Sequence, residues 1–385
     1  CALPIYPKKL FNIMILPEEK KNPKDMVNFL KSKSKTANDL FFIMLGEELD
    51  WDIDLFIDLC NREEITIVGG IFPAVIKGNN LYKDDMIIKK MSATSAPTLV
   101  RNIQYSPEVF YPIIDKVDMD NKQTAIVLID GLAKGVDIYL SDLYKQVGDT
   151  VNYIGGGAGT MSLKQKPCVF CNEGLFMDAA VVCFVDSQVN LGVKHGWKNL
   201  LGPLIATKTN FNTLEELNWS SPFDLYAKII KEDSGQDINR DNFLEISKVY
   251  PFGIAKENDE YVVRDPINLN EKGEITFFGE VHENVILDVL KGSKEDIVEA
   301  AQEAAEEAGN SVSAVSDNLM FDCISRPLFL KEDYSKTLEL IIDTLKKNGN
   351  KETLEGALSL GEISSHRQSY LEFFNRTILL GVFYD

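Results

Sequence analysis

The chain has 385 residues, 45% hydrophobic and 26% charged, an ordinary globular composition that predicts two domains at roughly 100 to 200 residues each. Fifty-nine acidic side chains against forty basic ones leave a net charge of −19, whose field repels phosphate polymers, so no nucleic acid partner is expected. The longest apolar runs, Ala179 to Val185 and Ile378 to Tyr384, stop far short of the ~20 residues of a bilayer-crossing helix, so no membrane span is expected.

In chain order, the first third alternates strand-like and helix-like segments. They are Phe11 to Leu16, a lysine-rich helix near Asp25 to Lys33, the apolar run Leu40 to Leu45, a helix near Trp51 to Cys60, and Ile65 to Val68. Beyond Gly69-Gly70, Val75 to Ile76 and Met86 to Ile88 flank Gly78-Asn79-Asn80 and predict a hairpin. Thr124 to Ile129 is a further strand, followed by a helix through Tyr139, Leu140, Leu143 and Tyr144. From Val151 the pattern turns β-rich: Cys168 to Cys171 and Leu175 to Phe176 flank one turn, and Ala179 to Val185 and Val189 to Lys194 flank Asp186-Ser187, which predicts a meander. After the strand Leu204 to Thr209, Ser221-Pro222 opens a helix, and the domain boundary is placed near residue 215, giving domains 1–215 and 216–385.

The second part predicts strands near Ile246 to Val249, Tyr261 to Val263 and Ile275 to Phe278. A long helix follows from Lys294 to Ala308, capped by Ser293 with Asp296 three residues on and stopped at Gly309. Leu319 to Cys323, a helix from Asp333 to Lys347, Ala357 to Leu360 and Ile378 to Phe383 complete the chain. The fold class that results is α+β, or mixed α/β, in two domains whose mixed, largely antiparallel sheets pack against helices.

Several motifs carry possible chemistry. The run Gly155-Gly156-Gly157 follows a strand and can expose backbone N–H groups to an anion, or serve as a tight backbone passage; it lacks the spacing of a dinucleotide or P-loop fingerprint. Cys168 and Cys171 form a lone C-x-x-C in a strand, without the helix start of a redox pair or the further ligands of a zinc site. The three histidines, His195, His282 and His366, stand at no metal-ligand spacing, which leaves only single-histidine chemistry such as an axial haem ligand. No hydrolase elbow, zincin pair or kinase signature occurs, so no enzyme class is predicted; Cys323, three residues from Arg326, is the one candidate nucleophile. Arg264, Arg326, Glu280, Glu362 and Asn375 interrupt apolar strand ends. Guanidinium and carboxylate together suit a zwitterion, with structural ion pairs as the alternative use. Six dispersed cysteines predict reduced thiols. The sequence opens at Cys1 without an initiator Met; a lipidated cysteine would look like this, and a cytoplasmic location is the working expectation.

Taken in order, these segments resemble the FIST family of signal-transduction proteins over nearly the whole chain. The first half carries Phe41-Phe42-Ile43-Met44, Ile67-Val68-Gly69-Gly70, the glycine run, Asp178-Ala179-Ala180-Val181-Val182, His195-Gly196-Trp197 and Gly202-Pro203. The second carries Tyr250-Pro251-Phe252-Gly253-Ile254, the stretch Tyr261 to Ile267, Phe277-Phe278-Gly279-Glu280-Val281, Cys323-Ile324-Ser325-Arg326, Gly361-Glu362-Ile363 and Asn375-Arg376-Thr377. Where many members have a cysteine-threonine-rich turn, this chain has Gly70-Ile71-Phe72-Pro73-Ala74. The resemblance implies a sensory protein that binds a small molecule such as an amino acid and reports to a downstream signalling protein. The candidate ligand-binding residues, taken from these motifs and from the polar side chains within them, are Gly155, Gly156, Gly157, His195, Trp197, Arg264, Glu280, Cys323, Arg326, Glu362 and Asn375. It also implies two alternatives: a haem-binding nitric-oxide sensor using His195, and a protein-interaction scaffold.

Overall fold

A computed structural model describes residues 11–12, 22–105, 123–256, 260–310, 312, 314–365 and 370–384. Cys1 and His366 lie outside them. Three six-stranded sheets surround a common core, and a closed six-stranded barrel is inserted in the chain between them. The mixed sheets packed against helices are those of the expected α+β class.

Each sheet is built around the same unit. A central strand pairs in parallel with the next long strand, reached through a helix, and antiparallel with a later one. The central strands are Asp39–Gly46, Gln123–Asp130 and Val315–Cys323; their parallel mates are Thr66–Phe72, Val151–Ala158 and Glu355–Ser359. The antiparallel mates are Met86–Ser92, Ala179–Val185 and Ile378–Tyr384. After each parallel mate the chain leaves its own sheet and lends a short hairpin to another. Val75–Lys77 pairs with Glu355–Ser359, Val169–Cys171 with Thr66–Phe72, and Glu362–Ser364 with Val151–Ala158. The exchange is cyclic, so each of the three units is tied to the other two.

Burial explains the layers. Central strands such as Gln123–Asp130 are buried along their whole length, and their near-continuous apolar runs are those of strands covered on both faces. Phe42, Leu128, Ile154, Phe321 and Leu379 meet in the shared core. The outer faces are covered by the helices Pro23–Lys33 and Ile53–Arg62, by Val136–Val147, and by Lys294–Gly309 with Tyr334–Lys347. Helix starts follow the sequence: Asn22 and Asp52 accept from the N–H groups of Asp25 and Leu55, and Ser293 from Asp296.

The barrel runs Lys198–Asn210, Thr213–Leu217, Ile275–Phe278, Tyr261–Leu269, Phe252–Ala255 and Ile286–Lys291 before closing on itself. Tyr226, Phe252, Phe277 and Leu287 fill its core. Residue 215 falls within a barrel strand, and the second and third sheets each take strands from both sides of it.

Four local expectations are corrected. Val75–Lys77 turns back into Asn80–Tyr82, whereas Met86–Ser92 returns to the first sheet. Ala179–Val185 and Gln188–Lys194 are consecutive but belong to different sheets, so they form no meander. Ile246 to Val249 is not a strand: Phe243–Ser247 is a short helix that buries Phe243 in the barrel core. Phe252–Ala255 and Ile286–Lys291 are strands that the pattern did not single out, closing the barrel against one another.

Candidate functional site

Where the barrel meets the three-sheet body, a cavity of about 250 Å³ opens at the carboxyl end of Val315–Cys323 and of its parallel mate. In sheets with parallel strands, the carboxyl ends are where ligands collect. The body contributes Cys323, Ser325, Gly361, Asn375 and Arg376; the barrel contributes Asp265, Pro266 and Phe278, and its short helix adds Leu244 and Ser247. Most of this surface is apolar, with a small polar group at one side.

That polar group is organised by Arg376, which is 2% exposed. Its guanidinium crosses from the body to pair with Asp265 and donates to the carbonyls of Lys248 and Ser247, the latter at 3.1 Å. Asp265 also accepts from Ser325 Oγ at 2.8 Å. Two buried polar atoms on adjacent residues of the wall, Asn375 Oδ1 and Arg376 Nε, have no hydrogen-bond partner among the described residues. Buried polar atoms are nearly always paired, so these two stand out on the wall.

Cys323 lies in the same wall. Burial, reinforced by the neighbouring Glu362 carboxyl, pushes its thiol far above the usual range, so it is protonated and unsuited to nucleophilic attack. Glu362 accepts from Ser359 Oγ at 2.7 Å and from the Thr377 N–H at 3.3 Å, and burial raises its carboxyl well above the ordinary value.

The remaining candidates lie elsewhere, so the expected constellation of Arg264, Arg326, Glu280 and Glu362 is not assembled as one pocket. Arg264 donates to the carbonyls of Glu280 at 2.7 Å and Phe373 at 3.0 Å and reaches Asp137 at 3.3 Å, joining barrel to body. Arg326 pairs with Asp322 at 2.7 Å and donates to the carbonyls of His195 and Ile297. Both are buried arginines with protein partners, though the acids they meet are not Asp265 or Glu362. Glu280 accepts the Gly135 N–H at 2.8 Å. With Asp137 and the exposed His282 it places three potential donor atoms within 4.8 Å of one another, and Arg264 supplies positive charge beside them.

The glycine run is not a loop. Gly155 and Gly156 stand opposite Ile363 and Glu362 in a ladder, and Gly157 donates to Gly361 O at 2.8 Å. A Cβ at Gly155 would sit 1.9 Å from Val127 O, and one at Gly157 would sit 2.2 Å from Leu360 O. Gly155 admits the neighbouring strand of its own sheet, and Gly157 admits the turn at Leu360. Cys168 and Cys171 are buried and free, like the other cysteines among the described residues.

His195 and Trp197 line a second cavity of about 410 Å³. His195 Nδ1 accepts the Trp197 N–H at 3.0 Å, which puts the ring proton on Nε2. An axial haem ligand needs the reverse, with Nε2 free for iron and Nδ1–H donating to a second shell, and this cavity is lined by carboxylates that would oppose the propionates. The residues present do not fit haem.

Of the residues expected from the sequence, Cys323 and Asn375 line this cavity; Asp265 and Arg376 line it too and were not among them. Their signal was their position: both stand in motifs that interrupt apolar strand ends with charge.

Family comparison matches the FIST N domain to residues 39–220 and the FIST C domain to residues 222–365. The chain belongs to the FIST family, whose domains are small-ligand sensory domains of signalling proteins. No curated protein matches it. No described helix is long and apolar enough to cross a membrane.

Proposed function

We propose that the chain is a sensor whose ligand is a small zwitterion with an apolar body, such as an apolar amino acid. The ligand is bound in the cavity between barrel and body, and its occupancy is reported to a partner protein. The observation that carries this reading is the orphan pair on the cavity wall, Asn375 Oδ1 and Arg376 Nε. A ligand carboxylate accepts from Arg376 Nε, a ligand ammonium donates to Asn375 Oδ1, and Leu163, Ile324 and Leu360 receive the side chain. A cavity of about 250 Å³ suits a compound of that size. Because its walls come from both barrel and body, filling it shifts the balance between arrangements of the two, which is a signal a partner can read.

The test compares masses of the purified protein under native and denaturing conditions, then follows thermal stabilisation across a panel of amino acids. A released small mass and selective stabilisation are expected, both lost in Asn375→Leu and in Leu328→Trp, the latter a half-exposed position at the cavity wall. Stabilisation that persists in both folded variants sinks the assignment.

A further inference from the structure

We propose that the turn 160–164 is a lid over the cavity between barrel and body, with Leu163 as the residue that closes it; this rests on the reading of that cavity as the ligand site. Three half-exposed leucines from separate segments stand where the cavity wall meets solvent. Leu163 follows the strand Val151–Ala158, Leu244 is on the barrel's short helix, and Leu328 is on the helix Ser325–Leu330. They are 44%, 53% and 49% exposed, so the mouth of the cavity carries apolar surface that nothing in the open arrangement covers.

Leu163 differs from the rest of the wall in how it is held. Asp265 and Phe278 stand in barrel strands, Cys323 in a strand of the body, and Ser325 and Leu328 on a helix. Leu163 instead comes from a stretch, 162–167, that is exposed throughout. Side chains of other segments tie this stretch on either side of Leu163: Glu47 accepts the Met161 N–H at 2.9 Å, and Asp130 accepts from Gln165 Nε2 at 2.7 Å. Between those ties the hydrogen bonds are local, Leu163 N–H to the Thr160 carbonyl at 3.0 Å and Lys164 N–H to Ser162 Oγ at 3.4 Å. A segment with so few outward bonds rearranges at low cost. Its backbone gives the motion a direction. Leu163 has φ 52°, in the left-handed region where a bulky side chain is an outlier. The open turn therefore holds this leucine both strained and half in water. Return to a negative φ re-aims the side chain, and laying it on Leu244 and Leu328 takes all three out of water. A ligand's apolar body inside the cavity adds a further surface for Leu163, so occupancy favours the closed turn.

The experiment is limited trypsin digestion of the full chain with L-leucine, L-isoleucine, L-methionine or L-phenylalanine as probe, each at a concentration that saturates its thermal stabilisation, read by peptide mass. Trypsin can cut this stretch after Lys164, whereas Pro167 blocks the bond after Lys166. Lys164 is not part of the cavity wall, so a probe that only fills the space leaves this cut unchanged, while closure hides it. Lys351, exposed and outside the cavity wall, is the reference for global stabilisation. A bound probe should slow cleavage after Lys164 at least tenfold relative to cleavage after Lys351. In Leu163→Asn, whose short polar side chain tolerates the left-handed backbone, the probe should still bind, dissociate at least tenfold faster and no longer protect Lys164. Unchanged cleavage after Lys164 with a probe bound, or protection retained in the variant, overturns the lid and leaves the binding site standing. Failure of all four probes to bind removes the binding site and the lid with it.

Discussion

Arg376 lays its guanidinium over the indole of Trp197, 5.0 Å from the ring centroid, while its Nη2 pairs with Asp265 across the junction of body and barrel. One side chain therefore lines the first cavity and backs the aromatic wall of the second. It sits at a left-handed backbone position, φ 55°, between the strands Glu372–Phe374 and Ile378–Tyr384.

Replacing Arg376 by Met removes the cation and leaves the largely buried Asp265 with Ser325 as its remaining side-chain partner among the described residues. Breaking a buried ion pair from one side costs about 3 to 5 kcal/mol. Urea unfolding should show a loss of this size, and Trp197 emission should shift as its stacking partner leaves. Arg376→Lys restores the charge but not the fork that serves Asp265 and two carbonyls together, so it should recover only part of the loss. A loss under 1 kcal/mol in the Met variant means the junction does not depend on this pair.

Gly156→Ala should lower stability by about 3 kcal/mol or more, the upper range for overpacking a filled core. The added Cβ would stand 2.7 Å from the Phe321 ring and 3.1 Å from Ser359, both in the neighbouring sheet. Denaturant midpoints of the purified variant measure this. If the variant keeps its midpoint and loses only ligand, the glycine run serves binding and not packing.

The strands with continuous apolar runs, such as Asp39–Gly46 and Ala179–Val185, are legible because burial on both faces writes itself directly into composition. The helix Lys294–Gly309 is legible from its cap and its alanines, which pack at helical spacing against the third sheet. Local periodicity says nothing about which sheet a hairpin joins, so the cyclic exchange of Val75–Lys77, Val169–Cys171 and Glu362–Ser364 stayed hidden. Comparing the chain with itself offers a trace of it in the small residues of the parallel mates, Gly69-Gly70 and Gly155-Gly156-Gly157. At the site, the sequence names residue types but not their geometry. Arg264 and Arg326 have the chemistry of anion receptors, yet their side chains meet acceptors supplied by distant segments. Cys323 and Asn375 stand at strand ends, and strand ends are where the cavity lies.

Lys89 illustrates what alternation conceals. It stands in Met86–Ser92 among apolar residues, is fully buried, and donates to Asp317 at 2.7 Å and Glu355 at 3.0 Å in the third sheet. Burial lowers the lysine's affinity for its proton, but the two acids outweigh it and the ammonium is held above its ordinary range. Lys89→Met should cost about 3 to 5 kcal/mol because Asp317 is left buried without its counter-ion. Adding Asp317→Asn should return part of that loss, since the uncompensated charge disappears. Chemical denaturation of the single and double variants decides it: an unrepaired double variant means that packing, not charge, is what Lys89 supplies.

The pH dependence of stability tests His195. In the unfolded chain its imidazole titrates near 6.5, whereas in the folded protein burial, with the charges of Arg326 and Lys194, depresses it to about 4. Between these values the unfolded state binds more protons, so this residue makes stability rise with pH. Its contribution is fully present above about 6.5 and is lost as pH falls toward 4. Glu280 and Glu362 act in the opposite sense, because burial raises their carboxyls and folding then favours the protonated form. The comparison must therefore be between the natural chain and His195→Asn, which retains a side-chain oxygen able to accept the Trp197 N–H. Urea midpoints taken from pH 4.5 to 7.5 should diverge, with the variant losing less stability on acidification. A difference that stays constant across the range would mean that His195 is protonated to the same extent in both states, and that solvent reaches its ring in the folded protein.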